Sequence, residues 1–176
     1  MVHFTPVSIE TKRFILVPHQ ISDFAESAAM WQDPLVARYT TGSPLTEEEA
    51  WFRLLRNIGH WQAMHYGNWV IREKATGVYI GEGGLSDYKR NISPACHQYR
   101  PEVSLALMPF VHRKGYSIEI LRAMLDWGDE FISIKEKKCL VYPENSPAIR
   151  LAQYFGFIEK TEVMYKNKLY FMFVRP

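Results

Sequence analysis

Val103-Ser104-Leu105-Ala106-Leu107, then His112-Arg113-Lys114-Gly115-Tyr116-Ser117, then the amphipathic run Ile118 to Phe131: this succession decides the fold. The first segment alternates as a strand and the last carries helical periodicity. Between them lies a basic, glycine-containing turn that opens the helix. The first turn of a helix leaves backbone N–H groups without intrahelical partners, and the macrodipole favours an anion beside them. Each N–H to a charged oxygen contributes on the order of 1.5–3 kcal/mol. Arg113 and Lys114 add positive charge. The turn therefore predicts a site for a phosphate-bearing molecule, a diphosphate first of all.

Working outward, Arg13–Val17 reads as a strand ended by Pro18, and a helical stretch runs from about Ser22 to Ala37. Thr46-Glu47-Glu48-Glu49 is a capping-box start for a helix toward Trp61. Asn68–Arg72 and Val78–Gly81 form a hairpin about Lys74-Ala75-Thr76-Gly77. The polar stretch Asp87–Pro101 reads as a loop and Glu102–Leu107 as the fourth strand. Cys139–Tyr142 is a short strand. Asn145-Ser146-Pro147 opens a helix, with Ser146 as cap and Pro147 at its first position, ending near Phe155-Gly156-Phe157. Thr161–Tyr165 and Leu169–Val174 make a last hairpin around Lys166-Asn167. The order is α+β (mixed α/β) around one sheet, without the regular alternation of a doubly wound dinucleotide fold.

The 176 residues fit a single domain spanning 1–176. Net charge is +2 with no long Lys/Arg run, which gives no support for nucleic acid as a partner. Cys96 and Cys139 are too few and too far apart for a disulfide framework or a zinc site. Met1–Pro6 carries no signal-peptide pattern, and the longest late apolar run, Leu169–Val174, is too short for a bilayer. The expectation is a cytoplasmic protein with no membrane partner.

Several stretches, in order along most of the chain, resemble the GNAT superfamily of N-acetyltransferases. They are Glu10-Thr11-Lys12-Arg13-Phe14, Trp31-Gln32-Asp33-Pro34, Thr76-Gly77 through Gly84-Leu85, Pro101-Glu102-Val103, and Glu144 to Phe157. The closest resemblance is to the branch containing ribosomal-protein N-terminal acetyltransferases. It implies a central, mostly antiparallel, twisted sheet flanked by helices. It also implies acetyl-CoA as co-substrate, no metal, and an amine acceptor, either a small molecule or a protein N-terminus. The family's pyrophosphate loop, Gln/Arg-x-x-Gly-x-Gly/Ala, falls on His112 to Ser117, with His112 and Ser117 as departures. By that resemblance His112, Arg113, Lys114, Gly115, Tyr116 and Ser117 hold the diphosphate, Leu107 and Met108 pair with the pantetheine arm, and Asn145 contacts the cofactor or orders the site.

Glu102, opening the fourth strand, is the expected general base; Asp87 and His60 are weaker candidates, and a water relay is the alternative. The family's tyrosine that protonates the leaving thiolate falls here on Ala152, with Tyr154 on another helical face. Trp61, Trp69, Tyr66, Tyr88 and Tyr116 either line an acceptor cleft or pack a core. The final hairpin either covers a core or offers a homodimer edge. A catalytically weak acyl-CoA sensor or interaction module on the same fold is the alternative function.

Overall fold

The computed structural model describes residues 4–96 and 100–176. Met1–His3 and the 97–99 part of the predicted loop lie outside them. Among the described residues are β1 (Ile9–Glu10), β2 (Phe14–Pro18), α1 (Phe24–Gln32), α2 (Pro34–Ala37), α3 (Glu47–Met64), β3 (Asn68–Glu73), β4 (Tyr79–Ser86), β5 (Glu102–Leu107), α4 (Tyr116–Phe131), β6 (Lys137–Val141), α5 (Ser146–Tyr154), β7 (Glu159–Tyr165) and β8 (Lys168–Arg175). The eight-stranded sheet has the order β1-β2-β3-β4-β5-β6-β8-β7. Pairing is parallel between β5 and β6, which α4 connects, and antiparallel at β1–β2, β2–β3, β3–β4, β6–β8 and β7–β8.

Sequence and structure part in a few places, each with a local reason. The stretch predicted as one helix from Ser22 to Ala37 is broken at Asp33, whose extended backbone (φ −70°, ψ 122°) is what a residue before proline adopts. Asp33 then caps α2 by accepting from the Leu35 N–H. The short β1 carries too few residues to show a period. The cap of α5 is Asn145, whose Oδ1 accepts from the Ala148 N–H at 3.3 Å, rather than Ser146, which is the first helical residue. The box at α3 forms as expected: Thr46 Oγ1 accepts from Glu49 N–H, and Glu49 Oε2 accepts from Thr46 N–H.

The described contacts divide the chain into two compact units, Met1–Gly84 with Leu105–Asp126, and Leu85–Ser104 with Trp127–Pro176. In the first, Phe14, Leu16, Ile120 and Met124 are fully buried. On another part of that core, Met30, Trp31, Val36, Val70, Tyr79 and Ala106 cluster, with Leu45 and Met108 against them. In the second, Ile92, Val163, Tyr170 and Met172 form a small core, and the loop at Ser93 pairs with Met164 of β7. Lys137 is wholly buried there; its ammonium donates to the Ile134 and Lys135 carbonyls and meets Asp129 at 3.3 Å. Among the described residues no helix is long and apolar enough to cross a membrane.

Between β3 and β4 the register shifts, with Ile71 opposite Gly81 but Arg72 opposite Tyr79. Ile80 is the extra residue of a β-bulge, and its carbonyl accepts from Met108 N–H at 2.8 Å. Gly81 is required beside it, because a Cβ there would lie 2.2 Å from the Ala106 carbonyl oxygen. Gly81→Ala is expected to lower stability by about 2 kcal/mol or more, the cost of an overpacked backbone contact, measured by urea unfolding.

Candidate functional site

The turn that opens α4 is built by backbone conformation. Pro109–Val111 makes a 3-10 turn, His112 is extended, and Arg113 and Gly115 both adopt left-handed backbone, with φ of 62° and 71°. The helix begins at Tyr116, and the N–H groups of its first turn have no intrahelical partners, a setting suited to an anion. Gly115 is there for conformation, since a Cβ on it would meet nothing within 4 Å. Arg113 and Lys114 are exposed. Tyr116 starts the helix and packs edge-on against buried Phe14, ring centroids 4.8 Å apart. Glu119 then ties that first turn to the stretch before β2, accepting from Thr11 Oγ1, Arg13 N–H and Arg13 Nε–H at 2.7–2.8 Å. Ser117 is the second helical residue. A diphosphate fits this turn: helix N–H groups, two exposed cations and an unobstructed glycine.

The end of β5 lies against the same turn. His112 Nε2 donates to the Leu107 carbonyl at 2.9 Å, and Met108 N–H is taken by Ile80. His112 ties the head of the turn to the strand end, and Met108 N–H belongs to the sheet.

Glu102 and Asn145 fall in the other unit. Glu102 is 3% exposed, and Arg90 forks it, Nε to Oε2 and Nη2 to Oε1, both at 2.8 Å. Burial works against the charge of Arg90, but Glu102 outweighs it and holds the guanidinium firmly protonated. Arg90 also lies over the rings of Tyr88 and Tyr165 at 4.4 and 5.0 Å. Both carboxylate oxygens are thus engaged. Asp87 pairs with Lys89 at 2.6 Å, and His60 Nδ1 donates to the Tyr66 carbonyl near the end of α3. Trp61 and Trp69 are core, packed edge-on at 5.1 Å, and their indole N–H groups donate to the Asn68 and Val7 carbonyls. Ala152 is buried and Tyr154 is 61% exposed. Cys139 is buried, which pushes its thiol up to about 12 and makes it inert. Among the described residues no group of three or more His, Cys, Asp or Glu is placed to hold a metal ion.

Sequence reasoning missed a buried charge on β4. Glu82 receives Ser27 Oγ–H and Tyr79 O–H on Oε1, each at 2.5 Å, and Trp31 Nε1–H on Oε2 at 3.0 Å. His19 Nε2 is 3.4 Å from Oε1 and Arg53 Nε 3.9 Å from Oε2. The bulge brings this about: Val70 and Arg72 share a face of β3, and the residues opposite them, Glu82 and Tyr79, share that face although they are three apart. Burial works against the Glu82 charge, but His19, Arg53 and Ser27 outweigh it and hold the carboxyl at about 2. Burial and the neighbouring Glu82 in turn raise the Tyr79 phenol well above its usual value. The signal was present: a carboxylate between Gly81 and Gly83 in an otherwise apolar strand.

With this geometry in place, comparison with known proteins is informative. Residues 13–158 match a model described as an acetyltransferase (GNAT) domain. A protein assigned to the GnaT acetyltransferase family from Bordetella pertussis superposes with a TM-score of 0.85 at 25% identity, covering 97% of this chain and 99% of that one. The ribosomal-protein-S5-alanine acetyltransferase of Vibrio fischeri has a similar fold, with a TM-score of 0.72, 17% identity and 96% of each chain covered. So does the spermidine N-acetyltransferase of Vibrio cholerae in complex with CoA and spermine, with a TM-score of 0.71 and 16% identity over 92% of this chain and 94% of that one.

The depressed Glu82 carboxyl links stability to pH. Its contribution is complete above the unfolded value of 4.5 and is lost as pH falls toward about 2. Wild-type unfolding free energy, followed in urea across that window, is expected to fall by on the order of 3 kcal/mol more than that of Glu82→Gln.

Proposed function

The chain belongs to the GNAT acetyltransferase family, and on that premise we propose that it moves an acetyl group from acetyl-CoA to a primary amine, of a small molecule or a protein N-terminus, by direct attack in a ternary complex. The observation that carries this reading is the turn from His112 to Ser117, set between the end of β5 and the N-terminus of α4, with Gly115 left-handed and two exposed cations. Acetyl-CoA supplies the activated acyl group. Arg113, Lys114 and the first N–H groups of α4 hold the diphosphate, and the Leu107 N–H pairs with the extended arm. His112 holds the Leu107 carbonyl and so ties the turn to the strand end. The amine nitrogen bonds the acetyl carbon, the C–S bond breaks, and the amine proton ends on the released thiol. Much of the acceleration comes from holding the two reactants together.

Water carries the proton in this reading. Glu102, the base expected from sequence, has both oxygens occupied by Arg90, and Ala152 has no hydroxyl for the thiolate. Asn145 shapes the start of α5 as its cap. Arg90 and Glu102 then serve to position the start of β5.

Incubation with acetyl-CoA and a panel of amines, with thiol release measured, is expected to show turnover. Binding of acetyl-CoA without release on any amine would assign the chain to the sensor class instead. Arg113→Ala with Lys114→Ala is expected to raise KM for acetyl-CoA about 10-fold or more, two charge-assisted contacts being lost. Glu102→Gln, assayed below its melting temperature, is expected to lower kcat less than about 10-fold. A loss of about 10²–10⁴-fold would restore Glu102 as the general base.

A further inference from the structure

Arg53, on α3, faces Glu82 as an ion pair at 3.9 Å without a hydrogen bond from its Nε. Its guanidinium carbon lies 3.6 Å from the centroid of the Trp31 ring, a close stack that fixes the plane of the group. Its Nε is shielded from solvent and finds no hydrogen-bond acceptor among the described residues. Glu82, the nearest carboxylate at 3.9 Å, is already satisfied by Ser27, Tyr79 and Trp31 and leaves the guanidinium just out of reach. The side chain is 19% exposed. A guanidinium that is mostly buried and stacked, with its Nε unpaired among the described residues, is costly unless something completes it. Glu82 guards the Nε side, so an incoming anion meets the Nη edge, where two parallel N–H groups match a carboxylate. Trp31, the stacking partner, belongs to the same apolar cluster as Ala106 and Met108 at the end of β5.

Resting on the acetyltransferase reading, we infer that Arg53 is the specificity-determining residue of the acceptor site and that the acceptor is an amine bearing a carboxylate, of the amino-acid class. Trp31 supplies the wall that holds the guanidinium flat. Glu82 keeps Arg53 oriented and stays engaged with its own donors. A polyamine or aminoglycoside, which offers only positive charge, is disfavoured beside an uncompleted guanidinium.

The test compares amino acids with their carboxamides as acceptors, on the full chain with acetyl-CoA, by thiol release. The carboxylate acceptors are expected to be favoured about 10- to 150-fold in kcat/KM, the value of one charge-assisted contact. Arg53→Met is expected to bring the two series within about 2-fold, through acceptor KM, and Arg53→Lys to recover part of the preference. Equal use of both series by the wild type overturns the inference without any variant having to fold, and so does a preference that survives in Arg53→Met. A parallel measurement does not depend on turnover. The melting temperature of the CoA-loaded protein is followed with N-acetyl amino acids and with the matching carboxamides. Stabilisation by the carboxylates alone, lost in Arg53→Met, supports the Arg53 site even if no amine is acetylated, an outcome that would sink only the acetyltransferase reading. Equal effects of the two sets overturn the Arg53 site.

Discussion

A carboxylate removed from water must find its hydrogen bonds inside the protein, and in the first unit that requirement falls on Glu82. Its three close donors come from two places in the chain: Ser27 and Trp31, one turn apart on α1, and Tyr79, on its own strand. His19, just past β2, and Arg53 on α3 complete the surroundings. Satisfying one buried charge therefore fixes how α1 and α3 meet the sheet. Breaking such an arrangement leaves an uncompensated charge, typically a loss of about 3–5 kcal/mol. His19 extends the network, its Nδ1 donating to the Asn68 carbonyl, while Asn68 Nδ2 donates to Asn57 on α3. Arg72 clips the start of α1 to β3 by reaching Asp23 and Glu26 from one guanidinium.

The bulge at Ile80 joins this network to the turn before α4. By shifting the register, it puts Tyr79 on the face of Glu82 and aims the Ile80 carbonyl at Met108 N–H. The strand end so placed gives His112 a carbonyl to bind, which sets the head of the turn. Gly81 permits the close approach of the two strands. A single extra residue thus positions both the buried carboxylate and the strand end beside the turn before α4.

Much of the fold was legible because it follows from local chemistry. The Thr46–Glu49 box, Pro34 and Pro147 at helix starts, and the glycine before α4 act within a few residues of themselves. The hairpin of β7 and β8 turns at Lys166 and Asn167, both left-handed, as its sequence suggests. The break at Asp33 was also encoded, in Pro34, but periodicity across it concealed the stop. The tryptophans at 61 and 69 could be assigned to core only once their N–H partners were known, since burial and a cleft wall call for the same residue type.

The sequence by itself determined most of the strands and helices, the family resemblance and the basic glycine turn before α4, because period, caps and turn residues act over short distances. Only the tertiary structure decided which side chains meet. Ser27 and Trp31 lie 55 and 51 residues from Glu82, and Arg53 comes from a third element. It likewise set Glu102 against Arg90 and His112 against the Leu107 carbonyl. The physical reason is common to all of them: a polar side chain takes its role from the donors and acceptors that folding brings within about 3 Å, and no local pattern records those.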